Sequence, residues 1–107
     1  MLDVEIFPAE AAQVLRENGA RLIDVREPWE FAVTRIEGSL HMPMGEVPNR
    51  ALTELKTGER LIILCHHGVR SMRVTEWLRK QGFDQAQSLA GGIEAWSLEI
   101  DPEVPRY

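Results

Sequence analysis

Short apolar runs alternate with amphipathic segments along this chain, and that alternation sets the fold before any chemistry is considered. Asp3 to Ile6 reads as a short strand. Pro8 to Asn18 reads as a helix that opens on proline, whose fixed φ suits a first turn, and stops at Gly19. Leu22 to Val25 reads as a second strand; the polar segment after it allows one helical turn at Pro28 to Phe31 and ends at Gly38. Ser39 to Met42 is expected to form a third strand. Val47, Ala51 and Leu55 recur every four residues, which puts them on one face of a helix over Val47 to Leu55, closed by Thr57 and Gly58.

Leu61 to Leu64 carries the clearest strand signal. A continuous apolar run with no polar alternation fits a strand buried on both faces of a parallel sheet. Ser71 to Lys80 follows as a helix with Val74, Trp77 and Leu78 on one face, Glu76 paired to Lys80 on the other, and Gly82 as its stop. Gln87 to Ala90 makes a fifth strand, Gly91 and Gly92 a sharp turn, and Ile93 to Trp96 begins a last short helix. The tail, Leu98 to Tyr107, holds Pro102 and Pro105 and is expected to be extended. Strands alternating with helices specify an α/β chain in three layers, a central parallel sheet of about five strands with helices on both faces. Ligands of such sheets bind outside the carboxyl ends of the strands.

With 107 residues and a hydrophobic share of 44%, the chain is expected to form one domain, residues 1–107, with a core that needs no staples. Cys65 is its single cysteine, so no internal disulfide can form. No apolar stretch approaches membrane-spanning length, and the start, Met1 to Glu5, lacks a basic signal region. A reducing, cytoplasmic setting away from membranes follows as an expectation. The net charge of −5 argues against nucleic-acid binding, which needs a basic surface to meet phosphates.

The charge is unevenly placed. Residues 60 to 80 hold Arg60, Arg70, Arg73, Arg79 and Lys80 against Glu76 alone, a local +4 that leaves −9 on the rest of the chain. Arg79 and Lys80 could simply complement a helix C-terminus, but Arg70 and Arg73 lie near the helix start. A basic segment on an acidic protein draws a small anion to one place.

Cys65 stands at the centre of that segment, directly after the run Leu61 to Leu64 and at the start of Cys65, His66, His67, Gly68, Val69, Arg70, Ser71. Its strand puts it at the carboxyl edge of the sheet. Gly68 permits a tight loop, and the helix after it would aim backbone N–H groups at the sulfur. Such a cradle, with the fixed charge of Arg70, favours a thiolate and binds an anionic substrate. The competing reading is that free cysteine is often a buried small hydrophobe, and the end of an apolar strand is a natural place for one. A metal site from Cys65, His66, His67 and His41 is not expected, because adjacent histidines point apart and no spaced ligand set appears.

These segments together resemble the rhodanese-like sulfurtransferases of the small single-domain type. Leu22, Ile23, Asp24, Val25, Arg26 with Glu30 and Phe31 resembles the family's first signature, and Gly38 and Pro43 fall where its next turn lies. Cys65 to Ser71 resembles its active loop; Leu89, Ala90, Gly91, Gly92, Ile93, Ala95 and Trp96 resemble its closing motif. The chain departs at Thr34, Arg35, Ile36, where the family usually has Gly-His-Ile, so Arg35 takes the histidine's place and would add positive charge near the pocket.

The resemblance implies a two-step transfer with no cofactor and no metal. Cys65 would take the sulfane sulfur of a small anionic donor such as thiosulfate, or of a persulfide, and pass it to an acceptor: cyanide in an assay, a thiol or a protein in a cell. Backbone N–H groups of His66 to Ser71 would hold the persulfide's charge, and Arg70 would orient the loop or the incoming anion. With no second cysteine, the sulfur must leave to an outside molecule. Related phosphatases of this fold place the arginine one residue later; the C-x4-R spacing from Cys65 to Arg70 gives a tighter cradle, better suited to one sulfur atom than to a phosphoryl group. A sulfur-carrier or protein-interaction module with little turnover is the reading of a different class. Asp24, Arg26 and Glu30 read as a polar pairing that supports the second strand's end, Trp29 and Trp96 as packing residues, and His41 as a structural histidine.

Overall fold

The structure is a computed structural model describing residues 1–107. Its elements run β1 (Glu5–Ile6), α1 (Pro8–Arg16), β2 (Arg21–Asp24), α2 (Pro28–Val33), β3 (Leu40–His41), a 3-10 turn at Met44–Glu46, α3 (Val47–Glu54), β4 (Leu61–Leu64), α4 (Val69–Lys80), β5 (Ala86–Leu89) and α5 (Gly92–Glu99). The strands form one five-stranded sheet in the order β1-β5-β4-β2-β3. All its pairings are parallel. The α/β architecture read from the alternation of the sequence is therefore the one the chain adopts.

Side-chain alternation along the central strand builds the three layers. Leu61 and Ile63 enter one core with Val47 and Ala51 of α3 and Val74 and Leu78 of α4. Ile62 and Leu64, on the opposite face, enter a second core with Ala11 and Ala12 of α1 and Ile93 and Trp96 of α5. All four β4 side chains are 0% exposed, and full burial contributes roughly 1.5–3 kcal/mol for each. That makes β4 the best-anchored element of the sheet, and Cys65 follows it directly.

The position of β4 is also topologically special. After β2 the chain moves outward to the edge strand β3, whereas after β4 it moves the other way to β5. The carboxyl ends of β2 and β4, paired from Arg21 with Leu61 to Asp24 with Leu64, thus flank a switch point, where open α/β sheets leave a crevice for ligands.

The differences from the expected elements have local causes. β1 and β3 are edge strands of two residues each, since an edge pairs on one side only. Arg79 caps the short β1 segment by donating to the Leu2 and Asp3 carbonyls at 2.9 and 3.0 Å, rather than serving its own helix end. α1 ends at Arg16 because Asn18 turns left-handed at φ 55°. The tail does not run extended from Leu98. α5 continues to Glu99, and the chain then turns, with the Val104 N–H donating to Asp101 and the Ser97 hydroxyl donating to the Val104 carbonyl at 2.6 Å. Val104 is buried in the second core by this turn.

Candidate active site

Cys65 lies under a loop held by two helix N-termini. Gly68 takes φ 108°, a left-handed conformation that costs a residue with a Cβ, and α4 starts immediately after it at Val69, two residues earlier than Ser71. The N–H groups of a first turn have no partner within the helix. Two such groups at this turn reach Cys65: the Gly68 N–H donates to its Sγ at 3.0 Å and the Ser71 N–H at 3.3 Å. The Ser71 hydroxyl stands 3.3 Å from the same sulfur and 2.7 Å from the Ser88 hydroxyl on β5.

From the other side, α5 holds the loop's carbonyls. The Ile93 N–H donates to Cys65 at 2.9 Å and the Glu94 N–H to His66 at 3.2 Å. This approach requires glycine at 92. A Cβ there would come within 2.4 Å of the His66 carbonyl oxygen and 2.5 Å of that of Cys65, at a backbone φ of +62°.

Cys65 is 1% exposed and packs in the first core, as a buried hydrophobe would. Its polar partners separate it from such filler. An apolar cysteine needs none, whereas this sulfur collects backbone donors at a helix N-terminus, the arrangement that accommodates negative charge.

Arg70 does not point freely at a ligand. Its guanidinium donates to both oxygens of Glu30, at 2.7 and 2.8 Å. This bidentate pair ties α4 to α2. Arg70 is held more firmly protonated than usual by the hydrogen bond to Glu30, and Glu30 is lowered to about 2, first by the bonds from Arg70 against an opposing effect of burial, then by Tyr107. Deeper still, Arg26 and Asp24 are both 0% exposed and make a second bidentate pair, with Nη2 to Oδ2 at 2.7 Å. Arg26 also donates to the Thr34 carbonyl at 2.6 Å and to the Tyr107 hydroxyl at 3.0 Å. Burial would lower Arg26; its bonds to Asp24 and Tyr107 outweigh that and raise it.

The structure thus brings Asp24, Arg26, Glu30 and Arg70 into one network beside the Cys65 loop, and leaves Arg35 outside it. Arg35 is exposed and lies over the Phe31 ring, 5.1 Å from its centroid. Phe31 in turn stacks on His41, whose Nε2 meets the Arg26 carbonyl at 2.7 Å. The positive charge counted along residues 60–80 is also less free than its total. Arg60 bonds Gln87, Arg79 bonds backbone carbonyls and Arg70 is neutralised by Glu30. His66 and His67 do not point apart as neighbours in an extended chain would; their rings stack at 4.0 Å. His66 is pushed down by burial and by His67. Trp96 is buried, but Trp29 is 62% exposed and is no core residue.

Two participants were not singled out from the sequence. Ser88 is a fully buried hydroxyl on β5, whose sequence Ala86, Gln87, Ser88, Leu89 alternates apolar and polar positions too weakly to mark it. Tyr107 gives no local signal, since every partner is distant in sequence: its hydroxyl donates to Glu30 at 2.7 Å and its ring stacks on His66 at 3.9 Å. A surface cavity of about 640 Å³ lies elsewhere, lined by Ala12, Leu15, Ile36 and Trp96 among others. It includes no residue of the Cys65 loop.

The chain belongs to the rhodanese-like domain family, whose model matches residues 7–99. Among curated relatives it is 34% identical over 104 residues to the thiosulfate sulfurtransferase GlpE of Pseudomonas fluorescens, covering 97% of this chain and 94% of that protein. It is 38% identical over 109 residues to the rhodanese-like/PpiC domain-containing protein 12, chloroplastic, of Arabidopsis thaliana, with 99% of this chain matched. The chain spans only 36% of that larger relative. Among solved structures, the human single-domain sulfurtransferase TSTD1 superimposes with a TM-score of 0.84 at 26% identity, over 92% of this chain and 98% of that one. A rhodanese-related protein from Thermoplasma volcanium gives 0.83 at 27% identity, over 98% and 100%.

Proposed function

We propose that this protein is a rhodanese-type sulfurtransferase that moves a sulfane sulfur through a persulfide on Cys65. The observation that carries the reading is the pair of backbone donors, Gly68 and Ser71, on the Cys65 sulfur at the start of α4. In the first step the Cys65 thiolate attacks the outer sulfur of thiosulfate. The new bond joins Sγ to that sulfur, the donor's own S–S bond breaks, and its electron pair leaves with sulfite. A persulfide donor reacts in the same way and releases a thiolate. In the second step an acceptor, cyanide in an assay or a cellular thiol, attacks the outer sulfur. The Cys65–sulfur bond breaks and its electron pair restores the thiolate.

The loop amides stabilise the charge that resides on sulfur in both steps. The Glu30–Arg70 pair fixes the loop that carries those amides, and Asp24 with Arg26 supports Glu30 from below. The similarity to proteins named thiosulfate sulfurtransferase supports thiosulfate as a donor. Because Cys65 is the single cysteine, each cycle uses one outside donor and one outside acceptor. No helix is long and apolar enough to cross a membrane, and a thiol that must stay reduced between turnovers suits a cytoplasmic setting. The test is thiocyanate formation from thiosulfate and cyanide. Wild type should produce it and Cys65→Ser should not; equal rates in the two would refute the reading.

A further inference from the structure

Tyr107 stands where the tail closes over the active loop. Its hydroxyl accepts a bond from Arg26 Nη1 at 3.0 Å, so its own hydrogen is directed to Glu30 Oε2 at 2.7 Å. That completes the Glu30 carboxylate. Oε1 takes the Glu27 N–H at 2.9 Å and Arg70 Nη1 at 2.7 Å; Oε2 takes Arg70 Nη2 at 2.8 Å and the tyrosine. A carboxylate offers about four such sites. Without the phenol, one of them is left unpaired on a residue only 3% exposed, and Arg26 Nη1 keeps only the Glu30 carbonyl at 3.4 Å. The ring does separate work: it lies flat on His66, 3.9 Å away at an interplanar angle of 8°, with Trp29 against it edge-on at 6.0 Å.

We infer that Tyr107 is a positioning residue for sulfur transfer, acting through Glu30 on Arg70 and through its ring on His66 to hold the Cys65 loop in its donor geometry. This rests on the sulfurtransferase reading for its kinetic consequence, though not for its structural one. Both half-reactions use the same loop amides, so a displaced loop slows both. In a double-displacement scheme, kcat/KM for the donor reports sulfur loading, and kcat/KM for cyanide reports unloading.

The test combines Tyr107→Phe, which keeps the ring, with Glu30→Gln, which keeps the carboxyl's shape. Tyr107→Phe should lower both kcat/KM values by about tenfold, the scale of one hydrogen bond to a charged group. In the Glu30→Gln background the same change should cost less than twofold, because its path to Arg70 is already broken. Values within twofold of wild type for Tyr107→Phe, or full multiplication of the two losses, would overturn the inference. Amide exchange at Gly68 and Ser71 gives a second readout that needs no turnover. It should quicken in Tyr107→Phe and further in Tyr107→Leu; unchanged exchange in both would overturn the positioning role. If wild type forms no persulfide, the sulfurtransferase reading fails while the exchange result still decides the role of Tyr107.

Discussion

The Glu30 carboxylate grips the Arg70 guanidinium through two bonds of 2.7 and 2.8 Å across 40 positions of sequence, and so fastens the helix that follows Cys65 to the helix that follows β2. The arginine of the Cys65 loop thus acts as a tether as well as a cation. Arginine's planar fork makes such a bond pair, and a lysine ammonium cannot reproduce it. Arg70→Lys should therefore reduce kcat/KM for thiosulfate by about ten- to a hundredfold while keeping the charge. Steady-state kinetics would show this, and a loss below threefold would mean that charge alone suffices.

The same pair predicts an acid dependence of stability. Glu30 is lowered to about 2 in the folded protein against an ordinary 4.5. Because the folded value is the lower one, the stabilisation is fully present above about pH 4.5 and is lost as the pH falls toward 2. The effect is on the order of 3 kcal/mol. Urea melts of wild type and Glu30→Gln at several pH values should converge as the pH falls through this window. Parallel curves would contradict the assignment.

Asp24 neutralises an arginine that is 0% exposed. Removing one member of a buried pair leaves an uncompensated charge, which costs roughly 3–5 kcal/mol. Asp24→Ala should lose stability on that scale, measured by denaturant unfolding at neutral pH. A loss under about 1 kcal/mol would show that Thr34, Glu30 and Tyr107 satisfy Arg26 without it.

Two glycines make a controlled comparison. At Gly92 a Cβ would press on the Cys65 and His66 carbonyls at a φ of +62°, whereas at Gly58 nothing lies within 4 Å. Gly92→Ala should destabilise by more than about 2 kcal/mol and displace the loop from its amide donors. Gly58→Ala should change stability by no more than about 0.5 kcal/mol. Thermal melts and thiosulfate turnover of the two variants check both statements.

The legible parts of the fold were those with a local cause. Leu61 to Leu64 announces a doubly buried strand by its own composition, and Cys65, Gly68 and the helix after them announce a strand–loop–helix turn. The edges were less legible: β1 and β3 shorten because each pairs on one side, which depends on sheet order and not on the residues themselves. The site's support was legible as residues but not as pairs. Asp24, Arg26 and Glu30 stood out near β2, yet nothing local says that Glu30 meets Arg70 while Arg26 takes Asp24. Arg35 differs from its expected place for the opposite reason. A charged residue in a familiar motif position suggests the pocket, but the segment after α2 turns it outward onto Phe31. Trp29 reads as core by its type, yet it is 62% exposed and meets the Tyr107 ring edge-on, a residue 78 positions away in the sequence.

In the proposed reaction Cys65 carries the sulfur. Intact-mass spectrometry of the protein after incubation with thiosulfate and removal of the excess tests it directly. Wild type should gain the mass of one sulfur atom, lose it on addition of cyanide, and show neither change as Cys65→Ser. No gain in wild type with thiosulfate or with a persulfide donor, or an equal gain in Cys65→Ser, would contradict the account.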